Sequence, residues 1–110
     1  MTNSILEADA LYSSLAADPD LNELAELYVE EMPDKMAALQ DAFESNQLEL
    51  LRQTAHQMKG SAGSYGFNQL TPYAAALEAS IRENKSLDEI CGSLNVLLGL
   101  CRKLRAGQPP

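Results

Sequence analysis

The 110-residue chain has no tryptophan, two cysteines, one histidine, four tyrosines and two phenylalanines. Cys91 and Cys101 lie in a stretch that reads as one helix, which would hold them about 15 Å apart along its axis, too far for a disulfide. With one histidine and no Cys-x-x-Cys pair, a structural zinc site has too few ligands. No apolar run reaches the roughly 18 residues of a membrane span. The N-terminus also lacks a basic start followed by an apolar stretch. The protein is therefore expected to be soluble and cytoplasmic, with no membrane partner. Bases are scarce too: eight Lys and Arg face sixteen Asp and Glu, for a formal charge of −8. An acidic chain with no basic stripe argues against a nucleic-acid partner.

What remains suits a single domain with one core, since 45% of residues are hydrophobic. Charge is uneven. Residues 1–50 hold twelve acids and one base, Lys35, summing to −11, whereas residues 51–110 hold four acids and seven bases, summing to +3. Most of these charges suit a solvated face. Arg52 and Lys59, however, are the first bases after the acidic half, and they bracket His56.

Apolar residues recur at spacings of three and four throughout, and no strand signal competes. A short first helix is expected from about Asn3 to Ala16, with a less regular apolar pattern. Asp18-Pro19-Asp20 breaks it, and Asp20 with Glu23 suits the cap of a second helix. That helix carries Leu21, Leu24, Tyr28, Met32, Met36, Leu39 and Phe43 as its stripe, with a kink expected at Pro33 because the period runs through it. Asn46 and Glu49 suit the cap of the next, whose buried line is Leu48, Leu51, Ala55, Met58 and Ala62. Gly63-Ser64-Tyr65-Gly66 is the expected turn out of it. A further helix begins between Asn68 and Pro72, with Leu70, Tyr73 or Ala74, Leu77 and Ile81 as its stripe, and closes at Asn84-Lys85. Ser86 with Glu89 forms a capping box for the last helix, in which Leu87, Ile90, Leu94, Leu97, Cys101 and Leu104 alternate spacings of three and four. Residues 107–110 are expected to be a disordered tail. The fold class expected is all-α: an antiparallel up-and-down four-helix bundle with a short additional N-terminal helix. No internal repeat suggests a solenoid.

On the helix that contains it, His56 points about 120° away from the buried line at 100° per residue. A lone histidine is more often an ordinary surface or core residue. Its neighbours weigh against that here, because Arg52, Lys59, Gly60, Gly63 and, more distantly, Ser64 share its face. Glycine inside a helix is less stable than alanine by about 1 kcal/mol, so two glycines above the imidazole call for a reason. Gly63 and Gly66 fit close helix packing or helix termination. Gly60, turned from the buried line, fits the approach of another molecule better. An imidazole with one unprotonated nitrogen is a competent nucleophile toward phosphorus. Lys59, otherwise an ordinary surface lysine, could partly neutralise a phosphoryl carried there.

Ala55-His56-Gln57-Met58-Lys59-Gly60-Ser61-Ala62-Gly63, followed by Gly66 and Leu70, resembles the signature of the histidine-containing phosphotransfer (HPt) domains. The likeness extends over nearly the whole chain, from the proline-bearing helix to the closing amphipathic one. Met58 stands where leucine is commoner, a swap of similar volume. The resemblance implies an HPt domain over residues 1–106, its core bundle at about 20–105. It implies that His56 accepts a phosphoryl group from a receiver-domain aspartate and passes it to another, within a two-component phosphorelay. Lys59 would contact the phosphoryl, and Glu78 falls where the family often has a Gln or Glu that orients the imidazole. An i,i+4 pairing of Glu78 with Arg82 is the alternative there. Arg52, Gly60, Gly63 and Ser64 are the candidate docking rim. Partners would be receiver domains of a hybrid sensor kinase and of a response regulator, with Mg2+ on the receiver. The domain itself would need no cofactor and no ATP, and would be a monomer. Gly60-x-x-Gly63-x-x-Gly66 lacks the Gly-Lys-Ser/Thr of a nucleotide loop. Two alternatives are the phospho-accepting domain of a chemotaxis-type kinase and a non-catalytic helical interaction module.

Overall fold

The first long helix in the chain is stopped by its own sequence. In the computed structural model, which describes residues 5–109, α1 spans Asn22–Glu44. Beyond it Asn46 adopts a left-handed backbone, φ 58°. The Gln47 N–H then donates to Ala42 O at 2.8 Å and Asn46 N–H to Phe43 O at 3.0 Å. This is the Schellman ending, which satisfies carbonyls that the helix leaves open. The same pair of bonds ends α2 (Leu48–Ser64) at Gly66, φ 84°, and α3 (Thr71–Arg82) at Asn84, φ 57°. The last helix, α4, spans Leu87–Cys101. Three of the four helices thus stop at a residue able to turn left-handed.

This settles two expectations differently. Asn46 closes α1 instead of capping α2, whose first turn has no side-chain cap, and Glu49 is left free to pair elsewhere. Gly63 and Ser64 are still helical, so the turn out of α2 is Tyr65-Gly66 alone. Nor does Asp20 cap α1. The helix starts after Leu21 with no side-chain cap; Asp18 instead closes the turn that leads into it, its Oδ1 accepting from Asp20 N–H at 2.8 Å and its carbonyl from Asn22 N–H at 2.9 Å. Ser86 does cap α4, accepting from Glu89 N–H at 3.2 Å.

The buried face of α1 is Ala25, Tyr28, Met32, Leu39 and Ala42, with Met36 and Phe43 half-buried against it. Leu21 and Leu24, expected in the stripe, are exposed, because small Ala25 takes the core-facing position there. Pro33 lies inside α1 without ending it. Leu51, Ala55, Met58 and Ala62 of α2 are buried, as are Ala74, Leu77 and Ile81 of α3. On α4 the stripe runs Ile90, Leu94, Leu97 and Cys101, while Leu87 is exposed. Tyr28 is the largest side chain fully out of water. It stacks on Tyr65 at 4.8 Å and on Phe67 at 5.8 Å, and its hydroxyl lies 3.1 Å from Ser61 Oγ. Each buried aromatic or leucine contributes about 1.5–3 kcal/mol by leaving water, so these four stripes hold the molecule together. α2 packs most extensively on α3, and α4 touches both α3 and α1.

The segment before α1 departs most from expectation. Asn3 lies outside the described residues. From residue 5 to 16 there is no α-helix, only a 3-10 turn at Ile5–Glu7 and the two-residue strand β1, Leu11–Tyr12. β1 pairs in parallel with β2, Leu104–Arg105, placing Leu11 beside Leu104. Leu104 therefore does continue the apolar stripe of α4, but from a strand, since the helix ends at Cys101. Ser13 Oγ donates to Tyr65 O at 2.7 Å, and Gln69 Nε2 donates to Tyr12 O at 2.9 Å. The irregular apolar pattern of this segment reflects that use: Leu11 is buried beside Leu104, and Ala16 is buried too.

Candidate functional site

α2 and α3 meet along the face that carries His56. The imidazole is 61% exposed, whereas Glu78 reaches across from α3 with a side chain only 4% exposed. Glu78 Oε2 accepts from His56 Nδ1 at 2.8 Å, and Glu78 Oε1 accepts from Lys59 Nζ at 2.8 Å. Arg52 Nη1 lies 3.6 Å and Arg82 Nη1 3.8 Å from Glu78 Oε2. One buried carboxylate thus gathers four basic side chains. A buried charge persists only when paired and hydrogen-bonded, and here both oxygens are occupied.

The Lys59 hydrogen bond, and after it the His56 bond, hold the Glu78 carboxyl below the usual carboxylate range, against the opposing effect of burial. An ionised carboxylate only accepts. The proton of a neutral His56 ring is therefore on Nδ1, which leaves the lone pair on Nε2. Nε2 has no hydrogen-bond partner among the described residues. Arg52 is also clamped by Glu49, its Nε and Nη2 donating at 2.9 and 2.5 Å. Around the imidazole stand Arg52, Lys59 and Arg82 against Glu49 and Glu78, so the neutral-ring site carries one net positive charge. It is a cationic spot in an acidic protein.

The glycines on this face separate into two kinds. A Cβ added to Gly60 would meet nothing within 4 Å, whereas one added to Gly63 would press on Asn68 Oδ1 at 3.0 Å. Gly63 therefore serves packing inside the molecule, and only Gly60 keeps the outer surface beside His56 bare. Ser64 is exposed at the end of α2, its hydroxyl turned back toward Gly60 O at 3.5 Å. The two roles weighed for Glu78 coexist, since it holds the imidazole and also lies near Arg82. Sequence spacing had offered Arg52 only as a rim residue, and its place against Glu78 became visible once α3 was set beside α2. Glu49, expected only in the cap of α2, joins the site through Arg52, a pairing that its i,i+3 spacing signals.

Comparison with known proteins identifies the family. A family model described as the Hpt domain matches residues 23–107. Two curated relatives, each named phosphorelay protein LuxU, from two strains of Vibrio vulnificus, are 30% identical over 80 residues, covering 73% of this chain and 69% of each relative. No solved structure matches the chain significantly. The matched span includes α2 and α3 entire, with the imidazole and the carboxylate that grips it, and the chain belongs to the Hpt domain family.

Proposed function

We propose that His56 Nε2 carries the phosphoryl group by which this chain, a histidine phosphotransfer intermediate of a phosphorelay, links two receiver domains. The single observation that carries the assignment is an exposed imidazole whose inner nitrogen is held at 2.8 Å by a buried carboxylate. The Nε2 lone pair attacks phosphorus of a receiver's aspartyl phosphate. The N–P bond forms, the bond from phosphorus to the aspartyl oxygen breaks, and the aspartate leaves as a carboxylate. The ring retains its Nδ1 proton and becomes an imidazolium, whose positive charge Glu78 stabilises. In the second half-reaction another receiver's aspartate attacks the same phosphorus, and the N–P electrons return to Nε2.

Lys59 contacts the phosphoryl oxygens while remaining tied to Glu78. Glu78 is a positioning residue: it fixes the tautomer and the ring plane. Gly60 lets the receiver approach, and Arg52 and Ser64 border the docking surface. Gly63 lies at the inner edge of that rim, where a Cβ would press on Asn68 Oδ1. Mg2+ sits on the receiver, and the domain binds neither ATP nor a cofactor of its own. The receivers belong to a hybrid sensor kinase and a response regulator. The helices form an antiparallel up-and-down bundle, a monomer of the cytoplasm, with residues 107–110 as a loose tail. These assignments rest on the family and on the residues matched to its motif.

A second donor merits an experimental arm, because an ionised Glu78 beside the imidazole also suits phosphorylation by the separate ATP-binding core of a chemotaxis-type kinase. The protein is incubated with a phosphorylated receiver and, separately, with such a core and ATP, beside His56→Gln. Acid-labile, base-stable label from the receiver, absent in the variant, is the expected result. Label only from the kinase core would give that donor the role instead. Label retained by His56→Gln would overturn the assignment, and label from neither donor would leave a non-catalytic interaction module.

A further inference from the structure

Arg52 stands one turn before His56 on the same face of α2, with its guanidinium divided between two carboxylates of unlike surroundings. Nε and Nη2 hold Glu49, whose side chain is 66% exposed, while Nη1 stops 3.6 Å short of Glu78 Oε2. That oxygen is the one that grips the imidazole. Lys59, on the other side of His56, is bound at 2.8 Å to the buried Glu78.

The two cations therefore differ in how freely they can change partners. Parting an exposed ion pair costs little, because water solvates both ends. Stripping a cation from a buried carboxylate leaves that carboxylate without its strongest partner, which costs several times more. A phosphoryl on the outer ring nitrogen carries nearly two negative charges, and a guanidinium fork matches its oxygens better than it matches one carboxylate. The cation that can turn to it at small cost is Arg52.

We propose that Arg52 is a partner-switching cation: with His56 free it is held by Glu49, and with a phosphoryl on His56 it leaves Glu49 for the phosphoryl oxygens. This rests on His56 being the phospho-acceptor. Lys59 then stays with Glu78 and contacts the phosphoryl from the opposite side. Glu49 is the competitor that sets how readily Arg52 moves: while Arg52 holds it, its carboxyl is lowered to about 2, and once released it is an exposed carboxylate, ionised at neutral pH. No bond to phosphorus is made or broken in the switch. It changes the charge that the phosphoryl feels and hence how firmly the domain retains it.

Potassium phosphoramidate phosphorylates histidine without a receiver, so the test can be made on the whole chain alone. The parent, Glu49→Gln, Arg52→Gln and the double variant are phosphorylated and titrated by 31P NMR. Removing Arg52 is expected to raise the second ionisation of the phosphoryl, and removing Glu49 to lower it, each by roughly a threefold change in the ionisation constant. Since any charge change nearby would produce such signs, the deciding result is the coupling. Glu49→Gln is expected to lose most of its effect once Arg52 is gone. Additive effects, or no effect of either variant on a labelled protein, would overturn the switch. Should Arg52→Gln not fold, Arg52→Lys carries the cycle, its single ammonium supporting a weaker coupling. A parent that takes no label, or His56→Gln that takes it, sinks the assignment of His56 and the switch with it. A labelled parent with additive variants sinks the switch alone.

Discussion

Glu78 is a charge buried by choice of partners, and its removal separates positioning from charge. Glu78→Gln keeps an oxygen that can accept from His56 Nδ1 but gives up the ion pairs to Lys59, Arg52 and Arg82. Glu78→Ala gives up both. Transfer from a phosphorylated receiver is expected to fall by about tenfold or more in the alanine variant, as for loss of one oriented charge-assisted bond, and less in the glutamine variant. The tautomer, read by 15N NMR of the ring, is expected to remain on Nδ1 in the glutamine variant and to become mixed in the alanine one. Acid stability follows with a definite sign. The Glu78 carboxyl is lower in the folded than in the unfolded protein, so between those values the unfolded chain binds more protons and stability rises with pH. The contribution is whole above the ordinary carboxylate value of 4.5 and is lost as pH falls through the folded one. Melting curves of Glu78→Gln are therefore expected to approach those of the parent as the pH is lowered.

Gly60 separates fold from function at a single position. Internal packing leaves room for a side chain there, and alanine is the better helix former by about 1 kcal/mol. Gly60→Ala is expected to stabilise the domain by about 0.5–1 kcal/mol in urea denaturation. Gly60→Phe, with the same open space to occupy, is expected to slow transfer from the receiver while leaving phosphoramidate labelling intact. Unchanged transfer in the phenylalanine variant would show that no partner approaches there. The candidates Arg52, His56, Lys59 and Gly60 were legible in sequence because helical spacing fixes which side chains share a face. Burial of Glu78 was not, since it depends on how α3 is rotated against α2.

At the scale of elements, the stops were harder to place than the stripes. Periodicity set the buried lines of α2 and α4 almost residue by residue, because each faces the rest of the molecule along its whole length. It misplaced the start of α1, where an alanine and not a leucine is buried. Asparagine suits both a helix N-cap and a left-handed C-terminal position, and Asn46 lies within three residues of both ends. Only the backbone angle decides. The decision has a measurable consequence, since β-branched residues resist positive φ. Asn46→Gly and Asn84→Gly are expected to leave stability within about 0.5 kcal/mol or raise it, and Asn46→Val and Asn84→Val to lower it by roughly 1–2 kcal/mol. An N-cap role for Asn46 would give a different order, with alanine as harmful as valine.

Over the whole molecule, residues 11–14 are tied to residues far along the chain. Leu11 lies beside Leu104, Leu11 N–H donates to Lys103 O at 2.8 Å, and Ser14 N–H to Gly66 O at 2.9 Å. A two-residue strand has no period of its own, so the sequence could not distinguish it from a short helix, and its partner lies nearly the length of the chain away. Gly66 is the joint of this arrangement. Its left-handed backbone ends α2, and a Cβ there would run into Ser13 Oγ and press on Leu15 N at 3.0 Å. One substitution at Gly66 should therefore damage two things at once, the end of α2 and the seat of the N-terminal segment. Gly66→Ala is expected to cost about 2–4 kcal/mol, the sum of a positive-φ penalty and an overpacked contact. Ser13→Ala loses the bond to Tyr65 O and the one its Oγ accepts from Leu15 N–H at 3.0 Å, and is expected to cost about 1–2 kcal/mol. The combination tells the two effects apart. If the collision with Ser13 matters, Ser13→Gly in the Gly66→Ala background is expected to restore part of the loss, although alone it destabilises. Urea midpoints that simply add would show that Ser13 has no part in why glycine is required there, and would leave the cost of Gly66→Ala to the left-handed turn and the contact with Leu15 N.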